Sequence, residues 1–238
     1  MLQTSKIANN KKISNQFNGN FGNDKSFHSF ANIIKMENTE AYILAEAEKL
    51  FMKFGIKSVT MDDIAKQLSM SKKTIYTYYK DKNELVSKLI AKMLQEDECK
   101  MSECTKAAEN AIDEVFLCMD FLKDMLTKIN PTVFYDLQKY HNDAHQLMIN
   151  FHHTYVYNTI KNGLEKGIDQ QIFRSDINTE ILSRLRVSQI NWAFECDLVR
   201  NGKYSLYEVI IETTFHFLFG ISTLSGHVLI NNYKNQQS

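Results

Sequence analysis

The sequence predicts an all-α protein, with a small N-terminal helix-turn-helix unit followed by a larger C-terminal helical domain. Three observations predict it. Apolar residues recur at spacings of three and four over long stretches, while period-two alternation is scarce. The 238 residues include one proline and eight glycines, so few positions break a helix. Two short periodic segments meet at Ser69-Met70-Ser71, each preceded by a residue able to cap it.

Residues 1–36 are rich in Asn, Lys and Ser without a usable period and read as a disordered extension. Met36 is the expected true translation start, with a basic tail that brushes DNA as the other reading of this stretch. From about Thr39 to Phe54 the apolar stripe Leu44, Ala47, Leu50, Phe51 and Phe54 predicts a helix, which Gly55 stops. Thr60 and Asp63 form a capping-box pattern ahead of Ile64, Ala65 and Leu68. Ser71 caps a second short helix, expected from Lys72 to about Tyr79, in which Ile75 and Tyr79 point inward together. Asp81 caps the next helix, whose Leu85, Val86, Leu89, Ile90, Met93 and Leu94 keep the helical spacing past Cys99. The DNA-binding unit is expected over 37–97, the C-terminal domain over 98–226, and a polar tail over 227–238.

The Ser71-capped helix is the informative one. It carries Lys72 and Lys73, two threonines and three tyrosines, and no acid before Asp81. Such a surface suits a polyanion: ammonium groups neutralise phosphates, and hydroxyls donate to phosphate oxygens. In a helix-turn-helix the second helix enters the major groove with its N-terminal residues nearest the bases. By that geometry Lys72, Lys73, Thr74 and Thr77 are candidate base readers, and Tyr76, Tyr78, Lys80 and Lys82 candidate phosphate contacts. Thr60 and Ser71, at helix N-termini, complete the DNA-binding set. The charge distribution agrees: residues 57–92 hold eight Lys against four acids, net +4, whereas residues 93–238 hold thirteen Lys or Arg against nineteen acids, net −6.

Residues 39–95 resemble the N-terminal domain of the Tet repressor (TetR) family of bacterial transcription regulators. The resemblance lies in Ala45, Leu50-Phe51, Phe54-Gly55, the run Val59 to Ala65, and the run Ser71 to Leu85. The family often has Gly where Lys73 stands and Phe where Tyr79 stands. What the resemblance implies is a homodimeric repressor on a palindromic double-stranded operator, with a C-terminal effector-binding and dimerisation domain. It also implies that the last two helices form the dimer interface.

Further helices are expected over about Ala108–Ile129, from Pro131, over about Asp143–Lys166, Thr179–Arg200 and Leu206–Leu224. Ile172 to Asn178 resembles the family's turn before its last two helices, with Gln171 where the family often has Gly. On the final helix Ile210, Thr213, Thr214, Phe217 and Gly220 combine bulk with small residues, and a helix so apolar around its circumference suits either a partner helix or a deep position. Candidate ligand-binding residues are Phe116, Met119, Tyr135, Tyr140, His145, Met148, Phe151, His152, Tyr155 and Trp192, since small-molecule pockets are mostly apolar with few polar anchors.

His141, His145 and His152 share a stripe, with His216 as a further ligand, which keeps a metal-responsive regulator open as an alternative. A helical interaction module without an effector is the other alternative. The four cysteines show no zinc spacing, and redox sensing through Cys99 and Cys104 is a minor reading. No catalytic motif is present, so neither an enzyme nor a cofactor is expected. No apolar run spans a bilayer, and a cytoplasmic protein with no membrane partner is expected.

Overall fold

The computed structural model describes residues 25–236, with side chains over 38–235. In chain order the helices are α1 (Lys25–Phe54), α2 (Met61–Leu68), α3 (Lys72–Tyr76), α4 (Lys82–Ala107), α5 (Ala111–Lys128), α6 (Thr132–Tyr140) and α7 (Asn142–Phe151). A π-helical turn, His152–Val156, leads into α8 (Tyr157–Asp169). The remainder are α9 (Thr179–Glu195), α10 (Asp197–Arg200), α11 (Leu206–Ile221) and α12 (Leu224–Gln236). No strand occurs among the described residues; Phe173 and Ser222 make an isolated antiparallel bridge. Contacts divide the chain into two units between Tyr42 and Ile43, and the core and the candidate sites lie in the second.

Local chemistry sets the helix starts. Thr60 and Asp63 close a reciprocal capping box on α2, with the Thr60 N–H donating to Asp63 Oδ2 at 2.9 Å and the Asp63 N–H donating to Thr60 Oγ1 at 3.2 Å. Ser71 Oγ accepts from the Thr74 N–H, and Asp81 Oδ1 from the Glu84 N–H. Ser205 and Glu208 form a second capping box on α11. Between α2 and α3, Ser69 turns the chain with φ 52°.

Several elements differ from the sequence expectation. α1 begins at Lys25, ahead of the expected Thr39, so the expected disordered stretch is helical from Lys25 to Met36, while 1–24 lie outside the described residues. The second helix of the helix-turn-helix ends at Tyr76, because Thr77 and Tyr78 tighten into a turn bonded to Thr74 and Ile75. The helix expected over Asp143–Lys166 carries the π turn. α9 stops at Glu195, where Cys196 is extended. The expected polar tail from 227 is helical, since Ile230 is fully buried and Tyr233 stacks on Phe116 with ring centroids 3.6 Å apart. Residues 237 and 238 lie outside the described residues. Gln171 adopts φ 60°, the left-handed conformation in which glycine is the usual residue.

One apolar cluster joins Ile43, Phe51, Ile64, Ile75, Tyr79 and Leu85 to Leu126, Val133 and Leu137. A helix-turn-helix of this size cannot bury a sufficient core alone, and here it completes that core on α5 and α6. The contact is polar at its edge. The Asn130 N–H and Nδ2 donate to the carbonyls of Met52 (2.9 Å) and Lys53 (3.1 Å) at the end of α1. Gly55, at φ 83°, terminates that helix so close to α6 that a Cβ would lie 2.5 Å from Thr132 Oγ1. Two residues on, the Lys57 N–H donates to the buried Asp136 carboxylate at 2.7 Å.

Asp136→Ala leaves the Lys57 N–H without its acceptor in a partly buried site. The expected loss of unfolding free energy is about 1–3 kcal/mol, with Asp136→Asn recovering most of it because the amide oxygen still accepts. Denaturant titration of the three proteins checks this.

Candidate nucleic-acid interface and ligand cavity

The exposed face of the helix-turn-helix carries most of the residues the sequence singled out. Thr60, Ser71, Lys72, Lys73, Tyr76, Thr77 and Lys80 are exposed, and Thr74 and Tyr78 half-buried, while Ile75 and Tyr79 are fully buried and hold α3 against α2. Several exposed groups already have partners. Lys72 Nζ pairs with Asp62 at 3.0 Å, which raises the Lys72 pKa through that hydrogen bond. The hydroxyls of Ser71 and Thr74 are 2.8 Å apart, and Thr77 Oγ1 donates to the Thr74 carbonyl at 2.6 Å. Lys73 stands exposed at the second position of α3 with no ionic or hydrogen-bonding partner among the described residues. The Asp63 carboxylate is held below its ordinary pKa by its hydrogen bonds to Thr60.

Lys82 departs from expectation. Its ammonium turns inward, donates to the Ile56 carbonyl at 2.6 Å and lies 5.8 Å from the Phe51 ring centroid. Burial pulls its pKa down. Lys82 is therefore a clamp between the start of α4 and the loop after α1, rather than a side chain presented to phosphate.

Behind this unit lies a cavity of about 220 Å³, walled by α4, α5, the π turn, α8, α9 and α11. Its walls are largely apolar, and its polar groups include Asp97, Glu114, Cys118, His152, Arg186 and Thr214. Glu114 is matched by Lys166 at 3.1 Å and Thr105 at 2.8 Å. His152 Nδ1 is 2.5 Å from Asn191 Oδ1, and burial lowers its pKa. Burial pushes the Cys118 thiol up. Asp97 has no hydrogen-bonding partner among the described residues, and burial raises its carboxyl from 3.8 to about 6. Arg186, on α9, is 7% exposed and donates from Nη2 to Thr214 Oγ1.

Of the ten candidate ligand-binding residues, Met119, Phe151 and His152 line this cavity. The other seven do not. Phe116 belongs to a second apolar cluster and stacks on Tyr233. Tyr135 lies beside Lys139 and Arg200, and Tyr140, 39% exposed, packs on Lys57. His145 is half-buried and Met148 buried, both outside the cavity wall. Tyr155 donates to the Glu98 carbonyl at 3.0 Å, and Trp192 is 50% exposed. Tyr135 and Tyr155 turn their hydroxyls to partners outside the cavity, Lys139 and the Glu98 carbonyl, whereas Phe116 is held by its stack on Tyr233. The histidines do not gather into a metal-binding group of three among the described residues. Arg186 was missed although it keeps the spacing of Leu182, Ile190 and Phe194, a register that places a charge inside.

The residues expected at a dimer interface also divide. Ile210, Thr214 and Phe217 of α11 face the chain's own cavity, so intramolecular packing accounts for much of that helix's apolar circumference. The exposed apolar stripe lies on α9 instead: Ile181 (63%), Leu185 (47%) and Trp192 (50%). No described helix is long and apolar enough to cross a membrane.

Residues 43–89 match the bacterial regulatory proteins of the tetR family. The chain is 32% identical over 130 residues to an uncharacterized HTH-type transcriptional regulator, YhgD, of Bacillus subtilis, covering 53% of this chain and 67% of that relative. Among solved structures, a transcriptional regulator of the TetR family from Agrobacterium tumefaciens superposes with a TM-score of 0.64 at 16% identity, over 79% of this chain and 100% of that one. A regulator from Saccharomonospora viridis in complex with choline gives 0.62 at 17% identity, over 79% and 99%.

For a carboxyl whose folded pKa is raised, stabilisation is complete below its unfolded value and is lost as pH rises through the folded one. Asp97 should thus favour the fold below about pH 4 and lose that contribution through about pH 6. Asp97→Asn is expected to be more stable than the parent by about 1–2 kcal/mol at pH 8, discounting for partial exposure, with the gap closing towards pH 4. Thermal unfolding as a function of pH measures it.

Proposed function

Because this chain belongs to the TetR family of bacterial regulatory proteins and is a helix-turn-helix transcriptional regulator, not an enzyme, we propose that it acts as a ligand-responsive homodimeric repressor on a palindromic operator. The observation that carries the reading is the course of α4. Its first half contributes Leu85, Val86, Leu89 and Ile90 to the core of the DNA-binding unit, and its second half places Asp97 and Met101 in the cavity wall. A ligand that binds better when α4 is displaced would shift the helix-turn-helix and lower operator affinity, and differential binding to two states is all that such coupling requires. A structural neighbour, the Saccharomonospora viridis regulator, is in complex with choline, which supports small-molecule binding by a protein of this fold.

On DNA, α3 is the recognition helix of the proposal. Lys72, Lys73, Thr74 and Thr77 face the bases, and Tyr76, Tyr78, Lys80 and the N-terminal ends at Thr60 and Ser71 face the phosphates. In a two-fold dimer the two α3 helices then lie about 34–36 Å apart, one turn of B-DNA. The α9 stripe of Ile181, Leu185 and Trp192 supports dimerisation, since contiguous exposed apolar surface marks an interaction site.

The direct test is a salt titration of the protein on DNA from its own upstream region against random DNA of equal length. Preference by a factor of at least about 10³, with two chains per site, is expected; equal affinities with equal salt slopes would count against sequence-specific recognition of that DNA. Lys73→Ala should cost about 1–3 kcal/mol on the specific site and much less on random DNA. Lys82→Ala should lower thermal stability while leaving the salt slope unchanged, because its ammonium bonds the Ile56 carbonyl.

A second variant addresses assembly. Leu185→Glu places a charge in the α9 stripe and is expected to convert dimer to monomer, read by sedimentation, with operator affinity falling as the two-site contact is lost.

A further inference from the structure

Arg186 is a buried cation without an ionic partner among the described residues. It lies at the cavity wall, 93% buried by the complement of its 7% exposure. No carboxylate pairs with it among the described residues. Its acceptors are neutral: Thr214 Oγ1 for Nη2, and for Nη1 the more distant Gln189 Oε1 (3.3 Å) and Thr213 Oγ1 (3.4 Å). A guanidinium has five N–H donors, so the Nε–H and one Nη2 proton are left without an acceptor among the described residues. Nε and Nη2 share the edge of the guanidinium that takes a carboxylate bidentately. A buried cation of this kind opposes folding unless something neutralises it, and its depressed pKa, about 10, reflects burial alone.

The rest of the cavity sets the ligand's shape and charge. The Phe217 ring centroid lies 5.7 Å from the Arg186 Cζ, and Met119, Leu122 and Leu164 continue the apolar lining of the cavity. Glu114 is already neutralised by Lys166, and burial disfavours the protonated form of His152. Asp97 comes from α4 and makes no ion pair with Arg186. One guanidinium with part of its donors engaged matches a single negative charge. A phosphate monoester, with a charge nearer −2, would be left undercompensated. Choline, the cation held by the Saccharomonospora viridis neighbour, would be repelled at this wall.

We propose that the cavity binds an amphipathic monocarboxylate, its carboxylate forked on Arg186 and its hydrocarbon body against the apolar lining. This deepens the effector reading above and rests on it for any effect on DNA, but the binding itself is tested without DNA.

The experiment is calorimetric titration of the full chain with three ten-carbon probes: decanoate, 1-decanol and decylamine. Decanoate is expected to bind one per chain and at least about tenfold tighter than the alcohol, the scale of a charge-assisted pair over an apolar contact alone. Arg186→Met, which keeps bulk without charge, should bring decanoate down to the affinity of decanol and leave decanol within about threefold. Arg186→Lys, which keeps charge without the fork, should fall between. Equal affinities of acid and alcohol for the parent protein would overturn the proposal even if a variant failed to fold. So would tighter binding of decylamine, which would move the ligand to Asp97, or decanoate binding unchanged by Arg186→Met. Decanoate held through Arg186 without release of operator DNA would refute the effector role and leave the ligand class standing. Sequence-specific DNA binding without decanoate selectivity would do the reverse.

Discussion

The hydrogen bond from the Lys57 amide to the buried Asp136 carboxylate is the contact on which the arrangement of the two halves depends. The helix-turn-helix is too small for a self-sufficient core, and it borrows Leu126, Val133 and Leu137 from α5 and α6. Apolar contact alone is not directional. Asp136, with Asn130 on the last carbonyls of α1, supplies the direction, and Lys82 fixes the loop after α1 within the unit itself. Gly55 allows the approach, since any side chain there would meet Thr132. The DNA-binding unit is thereby held along two lines, α4 on one side and the Gly55–Lys57 loop on the other. A rearrangement that tilts α4 must also be accommodated at Asp136.

How much of this was legible depended on the range of the interaction. Thr60 with Asp63, Ser71 and Asp81 were readable as caps because capping is settled within three residues, and the structure forms all three. The Ile75–Tyr79 pair and the Gly55 stop were readable for the same reason. Lys82 was not, since its partner Ile56 lies 26 positions away and nothing local distinguishes an inward ammonium from an outward one. In the C-terminal domain, apolar periodicity located the helices but not which face met the cavity. Phe116 and Trp192 were equally plausible liners by type, yet one is stacked on Tyr233 and the other is half exposed. Tyr233 itself sits in a stretch whose Asn and Lys content concealed an Ile230–Tyr233 stripe.

Charged residues were the least legible, and they are the ones that give the cavity its character. Glu114 and Lys166 neutralise each other across 52 positions, and Arg186 finds only neutral acceptors. By default such residues are assigned to the surface. The corrective signal was register: an arginine four residues after one apolar position and four before another, on a helix whose opposite stripe is exposed.

The π turn at His152–Val156 bears on how this domain tolerates change in length. A π turn accommodates one residue more than the α-helix it interrupts. Loss of a single residue there would let α7 and α8 run on as one regular helix while the residues beyond kept their faces, because the widened turn already takes up the extra residue. Thr159 and Ile160 would stay at the cavity wall. A one-residue deletion in a regular helix instead turns everything beyond it by about 100°. The turn is therefore a point at which the chain's length can change while the cavity's lining is kept.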